Sequence, residues 1–160
     1  MGFFLVGIFT MSAQLPNRFL LFNVKSGLSQ NSVTCFFEDR KGLMWIGTQD
    51  GLNSFDGKTF NHFVCDPNDS NTLSNKYILK IEDDMYGNLW VGTSFGLNRL
   101  NPRTGKVDRI FVNQEKEVGL SMSVYEQFLF DKKHNLMVLH GGHFFTVNTQ
   151  SLRVTQLAGA

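Results

Sequence analysis

Cysteine is scarce in this chain. Two thiols among 160 residues, Cys35 and Cys65, are far too few to staple a fold, and no C-x-x-C spacing offers a metal pair. Whether the two meet in an oxidising compartment stays open. Cys35, inside an expected strand, reads as a small buried apolar residue. Charge excess is missing as well: the net charge is +1, with no basic patch or stripe, so nucleic-acid binding has nothing to rest on. Three prolines against fifteen glycines fit an all-β chain with many turns. The apolar run Phe3 to Met11 (F-F-L-V-G-I-F-T-M) falls well short of the roughly 20 residues that cross a bilayer as a helix. Its length suits a secretory h-region instead. Met11-Ser12-Ala13 is a loose small-residue cleavage site, so residues 1–13 are expected to be a signal peptide. The Lys or Arg of an n-region is missing, and a buried N-terminal strand is the alternative.

What the chain does have is a repeat. Asp39 to Asn53 reads D-R-K-G-L-M-W-I-G-T-Q-D-G-L-N, and Asp84 to Asn98 reads D-M-Y-G-N-L-W-V-G-T-S-F-G-L-N. Trp45 and Trp90 are 45 positions apart, and so are Asp39/Asp84, Gly42/Gly87, Gly47/Gly92, Thr48/Thr93, Gly51/Gly96, Leu52/Leu97 and Asn53/Asn98. The register extends back to Leu28-Ser29 and Leu73-Ser74. A fixed period of this size marks a repeat architecture. A third, worn copy follows at an offset of 47, with Asp131 for Asp84, Asn135-Leu136 for Asn88-Leu89, His134 for Gly87, Met137 for Trp90 and Leu139 for Gly92.

Within each copy, short apolar or alternating runs are divided by turn signals. Val33 to Glu38 reads as a strand closed by Asp39-Arg40-Lys41-Gly42. Leu43 to Thr48, Leu52 to Phe55 and Thr59 to Val64 follow, separated by Gln49-Asp50-Gly51 and Asp56-Gly57. Asp-Gly between apolar runs favours a tight hairpin, because glycine accepts positive φ at no steric cost. Four strands in about 45 residues is one β-propeller blade. Trp45 and Trp90, mid-strand among apolar residues, read as inter-blade packing rather than as ligand-stacking rings. Gly47 and Gly92, on the same strand face, are expected where a neighbouring blade comes close.

The expected architecture is all-β: a partial β-propeller of about three four-stranded antiparallel blades in an open arc. Residues 14–31 form a lead-in with a propeller-closing strand, in which Phe19-x-x-Phe22 echoes Phe60-x-x-Phe63. Blade 1 covers 32–72, blade 2 covers 73–117 and a degenerate blade 3 covers 118–160. Asp66 to Thr72 and Asn113 to Glu117 are the polar connectors. An arc of three leaves a blade face bare, which marks an association surface.

The pattern G-L-S-x-N-x-V followed by D-x-x-G-x-[LM]-W-[IV]-G-T-x-x-G-L-N resembles the two-component regulator propeller repeat. It is carried by Gly27 to Val33 with Asp39 to Asn53, and by Leu73 to Ile78 with Asp84 to Asn98. The resemblance implies the N-terminal periplasmic sensor portion of a hybrid sensor histidine kinase, in which such repeats build propellers ahead of a membrane helix and kinase. It implies that an oligosaccharide from polysaccharide breakdown is the ligand, and that the remaining blades of a parent protein are partners. A homodimer is a further partner to test, and membrane attachment would come only through missing C-terminal parts. Scaffolding of protein–protein contacts, or membership of a propeller hydrolase or lyase, are the alternative functions. The motif residues are architectural, so no binding residue carries over through them.

Ligand contacts in such a stack are expected on loops at one end. The second-to-third strand turns, Gln49-Asp50, Ser94-Phe95 and Gly141-Gly142-His143, share that end, which makes Asp50, Phe95 and His143 the candidate sugar contacts. His140 and His143 lack the further ligands of a zinc site. No catalytic residue, metal or cofactor is expected: Asp39 and Asp84 recur just before turn glycines, where aspartate caps its own turn.

Overall fold

The computed structural model describes residues 20–110, 128–140 and 142–157. The expected signal peptide (1–13), Phe19, the connector Asn113 to Glu117, Gly141 and Ala158 to Ala160 lie outside the described residues. Twelve strands are described, in chain order: β1 (Val33–Glu38), β2 (Met44–Thr48), β3 (Gly51–Phe55), β4 (Phe60–Phe63), β5 (Ile78–Asp83), β6 (Leu89–Thr93), β7 (Gly96–Leu100), β8 (Val107–Ile110), β9 (Phe128–Phe130), β10 (Leu136–His140), β11 (His143–Val147) and β12 (Val154–Gln156). They form three separate four-stranded antiparallel meanders, β1–β4, β5–β8 and β9–β12. These are the three blades, stacked as an open arc.

The first two blades superpose in register as well as in sequence. Trp45 lies between Phe37 and Ser54, and Trp90 between Glu82 and Arg99. Each first strand carries an irregularity at the same place, between Val33 and Cys35 and between Ile78 and Lys80. The first turn of each blade closes through matching bonds. Asp39 N–H donates to Leu43 O (3.0 Å), Asp84 N–H to Asn88 O (2.9 Å) and Asp131 N–H to Asn135 O (2.9 Å). That turn needs a left-handed residue, supplied by Gly42 (φ 80°) and Gly87 (φ 81°). In the worn copy His134 takes the same conformation at φ 62°, a side chain held where glycine is favoured.

The core lies between blades. Trp45 and Leu52 pack with Leu73, Ile78, Ile81, Leu89, Val91, Leu100 and Val107 of the second repeat, with Cys35, Phe37 and Phe63 at the margin. Trp90, Leu97 and Ile110 pack in the same way on Phe128, Leu136, Val138, Phe145 and Val147. Both indoles are buried, at 1% and 0% exposure, and truncating such a ring typically costs about 3–5 kcal/mol. At Gly47 blade 2 comes close through Ile78. A Cβ built there would stand 2.6 Å from Cys35 Sγ and 2.7 Å from Ile78 Cγ2, closer than atoms can pack.

Buried polar groups fasten each blade to the chain entering it. Ser29 N–H donates to Asn53 Oδ1 (2.9 Å), Asn53 Nδ2 donates to Ser29 Oγ (2.9 Å) and Ile46 O (3.0 Å), and Ser29 Oγ meets Thr48 Oγ1 at 2.8 Å. Ser74, Asn98, Val91 and Thr93 repeat the arrangement at 2.9, 2.9, 3.2 and 3.0 Å. Thr48, Asn53, Thr93 and Asn98 are all fully buried, so every bond in these clusters offsets a desolvation cost. A second latch comes from the outer strand. Arg109 on β8 donates to the carbonyls of Asp66, Asp69, Thr72 and Leu73, at 2.9–3.2 Å, and so shapes the connector between blades 1 and 2. On β4, the equivalent residue His62 places Nε2 2.7 Å from Gly27 O.

Residues 20–31, assigned above to a lead-in and closing strand, form no strand. Asn23 instead caps a short 3-10 turn, Val24–Ser26, accepting from Lys25 N–H and Ser26 N–H, and Gly27 ends it at φ 106°. A strand needs a neighbour to complete its ladder, and no described sheet pairs with this segment. Phe22 still finds aromatic company, with its ring 4.8 Å from Phe55 and 5.7 Å from Phe60. On the same side of blade 1, among the described residues, Phe36 is 76% exposed, whereas its counterpart Ile81, covered by blade 1, is 4% exposed.

Cys35 and Cys65 are both free and half-buried. The first is on β1 and the second lies just past β4, the two edges of one four-stranded sheet. Burial pushes the Cys35 thiol above its ordinary value, against smaller opposing hydrogen bonds from Thr34 and the Gly47 backbone.

Candidate functional site

The turns joining β2 to β3, β6 to β7 and β10 to β11 lie at one end of the blades and carry the three sequence candidates, one per blade. Asp50 is exposed and pairs with Lys76 Nζ at 3.0 Å, an ion pair that ties the blade 1 turn to the segment entering blade 2. Phe95 is 48% exposed on its turn, and its N–H donates to Thr93 Oγ1 (3.2 Å). His143 opens β11 opposite His140 and is exposed. Among the described residues no hydrogen bond or ring contact joins any two of the three.

A groove of about 470 Å³ lies at the opposite end, between the first turn of blade 1, the first turn of blade 2 and the β7–β8 turn. The antiparallel meander dictates this placement, because the first and third turns of every blade share one end. None of Asp50, Phe95 and His143 lines it. The volume falls within the range of small-ligand sites.

Each wall is built by local hydrogen bonding. Asp39 Oδ1 accepts from Lys41 N–H (2.9 Å) and Leu43 N–H (3.1 Å), while Oδ2 accepts from the buried Trp45 indole (3.1 Å). Partial burial pushes this carboxyl up, but those hydrogen bonds and the Lys41 charge outweigh it and hold Asp39 below the ordinary carboxylate value. Asp84, itself 1% exposed, takes Tyr86 N–H (2.8 Å), Asn88 N–H (2.9 Å), Asn88 Nδ2 (3.0 Å) and the Trp90 indole (3.1 Å). The third wall turns on Asn101, whose Oδ1 accepts from Arg103 N–H (2.9 Å). Arg40 crosses from blade 1 to pair with Asp83 at 3.3 Å and so links the two blades beside the groove.

Two consequences follow for chemistry. The carboxylates at the groove are engaged: Asp39 and Asp84 by their own turns and tryptophans, Asp83 by Arg40. They are caps and braces, not a free acid/base pair. The surfaces left for a ligand are the exposed Lys41, Arg103, Met85 and Tyr86. The Tyr86 hydroxyl accepts from Gln150 Nε2 of blade 3 (2.9 Å), which favours one orientation of the ring. Among the described residues no three His, Cys, Asp or Glu side chains gather as a metal site, and no helix is long and apolar enough to cross a membrane.

Sequence reasoning identified the turn-capping aspartates but not this groove. It depends on two blades standing side by side, which places Arg40 next to Asp83, 43 positions away. The available signal was topological: D-R-K-G, D-M-Y-G and N-P-R-T all lie at one end of the meander.

The two Trp-bearing repeats match a family model described as the two component regulator propeller, over residues 27–50 and 72–95. A histidine kinase of Formosa agariphila is 44% identical over 66 residues, which is 41% of this chain and 5% of that protein. Among solved structures, the chain resembles the extracellular domain of a protein described as a hybrid two component system from B. thetaiotaomicron. The TM-score is 0.71 at 21% identity, covering 86% of this chain and 20% of that one. It also resembles PorZ, a surface component of the type-IX secretion system of Porphyromonas gingivalis. There the TM-score is 0.62 at 16% identity, covering 86% of this chain and 18% of that one. At such identities the two structures speak to the fold. The chain thus spans a fifth or less of the length of each of these proteins. With the motif in two copies at constant period, each folded as a tryptophan-bearing blade, the chain carries two repeats that match the two component regulator propeller model.

Proposed function

We propose that this chain forms part of the blades of a periplasmic sensor propeller in a two-component system, that it detects an oligosaccharide and that it performs no chemistry of its own. The observation that carries this reading is the family match on both tryptophan-bearing repeats. The 66-residue likeness to a histidine kinase supports it from the side of the parent protein, which would carry the kinase and its membrane anchor. The engaged carboxylates agree with a binding role. A catalytic carboxylate needs a lone pair or a proton free for substrate, and the Asp39 and Asp84 oxygens are committed to turn amides and indoles. Homodimerisation through the open side of blade 1 belongs to the same proposal.

Calorimetric titration of the full chain against a panel of neutral and acidic oligosaccharides tests it. Saturable heat with at least one glycan is the expected result. No heat with any glycan refutes sensing and favours a scaffold role.

A further inference from the structure

We infer that the groove between the first turns of blades 1 and 2 is a saccharide subsite for an acidic sugar, the uronic acid unit of an oligosaccharide. The inference rests on the oligosaccharide-sensing reading and adds a place and a ligand chemistry to it.

Sugars are recognised by an apolar platform under their C–H face and by polar groups at their rim, and the groove has both. Tyr86 is 52% exposed and Met85 47% exposed, side by side on the blade 2 turn. Ordinarily a large exposed aromatic side chain swings freely. Here the bond from Gln150 Nε2 to the Tyr86 hydroxyl favours one ring orientation before any ligand arrives, which lowers the ordering cost of stacking.

Charge selects the acidic sugar. Lys41 and Arg103 enter the groove from different blades, both exposed, and among the described residues neither is in an ion pair. Three carboxylates also border the space, but none is free. Asp84 is sealed under its turn, Asp39 is filled by two amides and an indole, and Asp83 is held by Arg40. An incoming carboxylate therefore meets two available cations and no available anion. Arginine can bind it through two parallel N–H donors, and lysine adds a point charge. The 470 Å³ of the groove accommodates a short saccharide stretch, with the remainder of the chain running over the open rim.

The test is calorimetry on the full chain with tetragalacturonate and tetramannuronate as acidic probes and the matched neutral galactose tetrasaccharide as control. The wild type should bind an acidic probe about tenfold or more tighter than the neutral one, with affinity falling as salt is raised. The paired substitution Lys41→Gln and Arg103→Gln should abolish that preference and the salt dependence, and Tyr86→Phe, which frees the ring from Gln150, should weaken every probe. Unchanged near-UV circular dichroism keeps folding out of the comparison. Equal affinity for acidic and neutral probes overturns the inference. So does binding that is unmoved by the groove variants but lost in Phe95→Ser, an outcome that moves the sugar to the other end and leaves sensing intact. Silence from every saccharide removes both readings together.

Discussion

Replacing Asp84 with alanine should destabilise the chain by about 3–5 kcal/mol, and the three blades provide internal controls for the reason. The carboxylate accepts four hydrogen bonds at 2.8–3.1 Å. Removing it leaves the fully buried Trp90 indole N–H without a partner, which costs about 1–3 kcal/mol. The Tyr86 and Asn88 amides are nearer to water and lose about 1 kcal/mol each. Asp39 makes the same bonds to Lys41, Leu43 and Trp45 from a half-buried position, so Asp39→Ala should cost less, about 2 kcal/mol. Among the described residues the Asp131 side chain binds Lys133 and Asn135 alone, because Met137 stands in the tryptophan position and has no side-chain N–H to satisfy. Its substitution should matter least of the three. Urea titration followed by far-UV circular dichroism measures the series. With a slope near 2 kcal/mol/M, Asp84→Ala should lower the midpoint by about 2 M. If Asp131→Ala costs as much as Asp84→Ala, the indole bond is not what the aspartate provides and the reasoning fails.

Three further outcomes can be checked. Gly47→Ala should cost about 1–3 kcal/mol by overpacking against Cys35 and Ile78; an unchanged urea midpoint would mean that the two blades do not approach this closely. Arg109→Met should free the connector 66–72, seen as faster limited proteolysis between Asp66 and Thr72, while Arg103→Met leaves that site protected. Stability should follow pH in opposite directions at the two extremes. Asp39 and Asp108 are held below the ordinary value of 3.8: burial alone would raise each, but hydrogen bonds from Trp45 and the turn amides, and from Arg99 and Lys106, prevail. The unfolded chain then binds more protons, so this stabilisation is complete above about pH 4 and is lost as pH falls through the lower folded values. The raised Cys35 thiol acts the other way, and stability should decline above its ordinary value of 9.0 in the wild type but less in Cys35→Ala. Thermal midpoints across pH measure both limbs.

The blades could be read from the sequence because a constant spacing of Trp45 and Trp90 is a one-dimensional record of stacking, and because the pairs Asp50-Gly51 and Asp56-Gly57 mark turns locally. The polar fasteners were visible only as coincidences. Ser29, Thr48 and Asn53 recur as Ser74, Thr93 and Asn98, yet nothing local reveals that residues 19 and 24 positions apart share hydrogen bonds. Asp39 and Asp84 were legible as turn caps from the residues beside them; their bonds to the tryptophan six positions on required the strand to double back. Pairing could not be read from the lead-in for a related reason. Phe19-x-x-Phe22 has the rhythm of a strand, but pairing depends on a neighbour, and among the described residues the chain runs on from Phe22 into the short turn Val24–Ser26, capped by Asn23 and ended by Gly27. The groove had no local signature at all, since its walls come from two different blades joined there by the Arg40–Asp83 ion pair.

Phe36 and Ile81 hold one position in two successive copies, and among the described residues only the second lies against another blade. A row of identical wedges always has two ends, whatever its length. Deleting blade 1 would therefore hand its solvent-facing role to Ile81, Leu89, Val91 and Leu100 without reducing the oily area shown to water. Shortening such an array cannot make it more soluble; joining its first member to its last is the one operation that removes both ends.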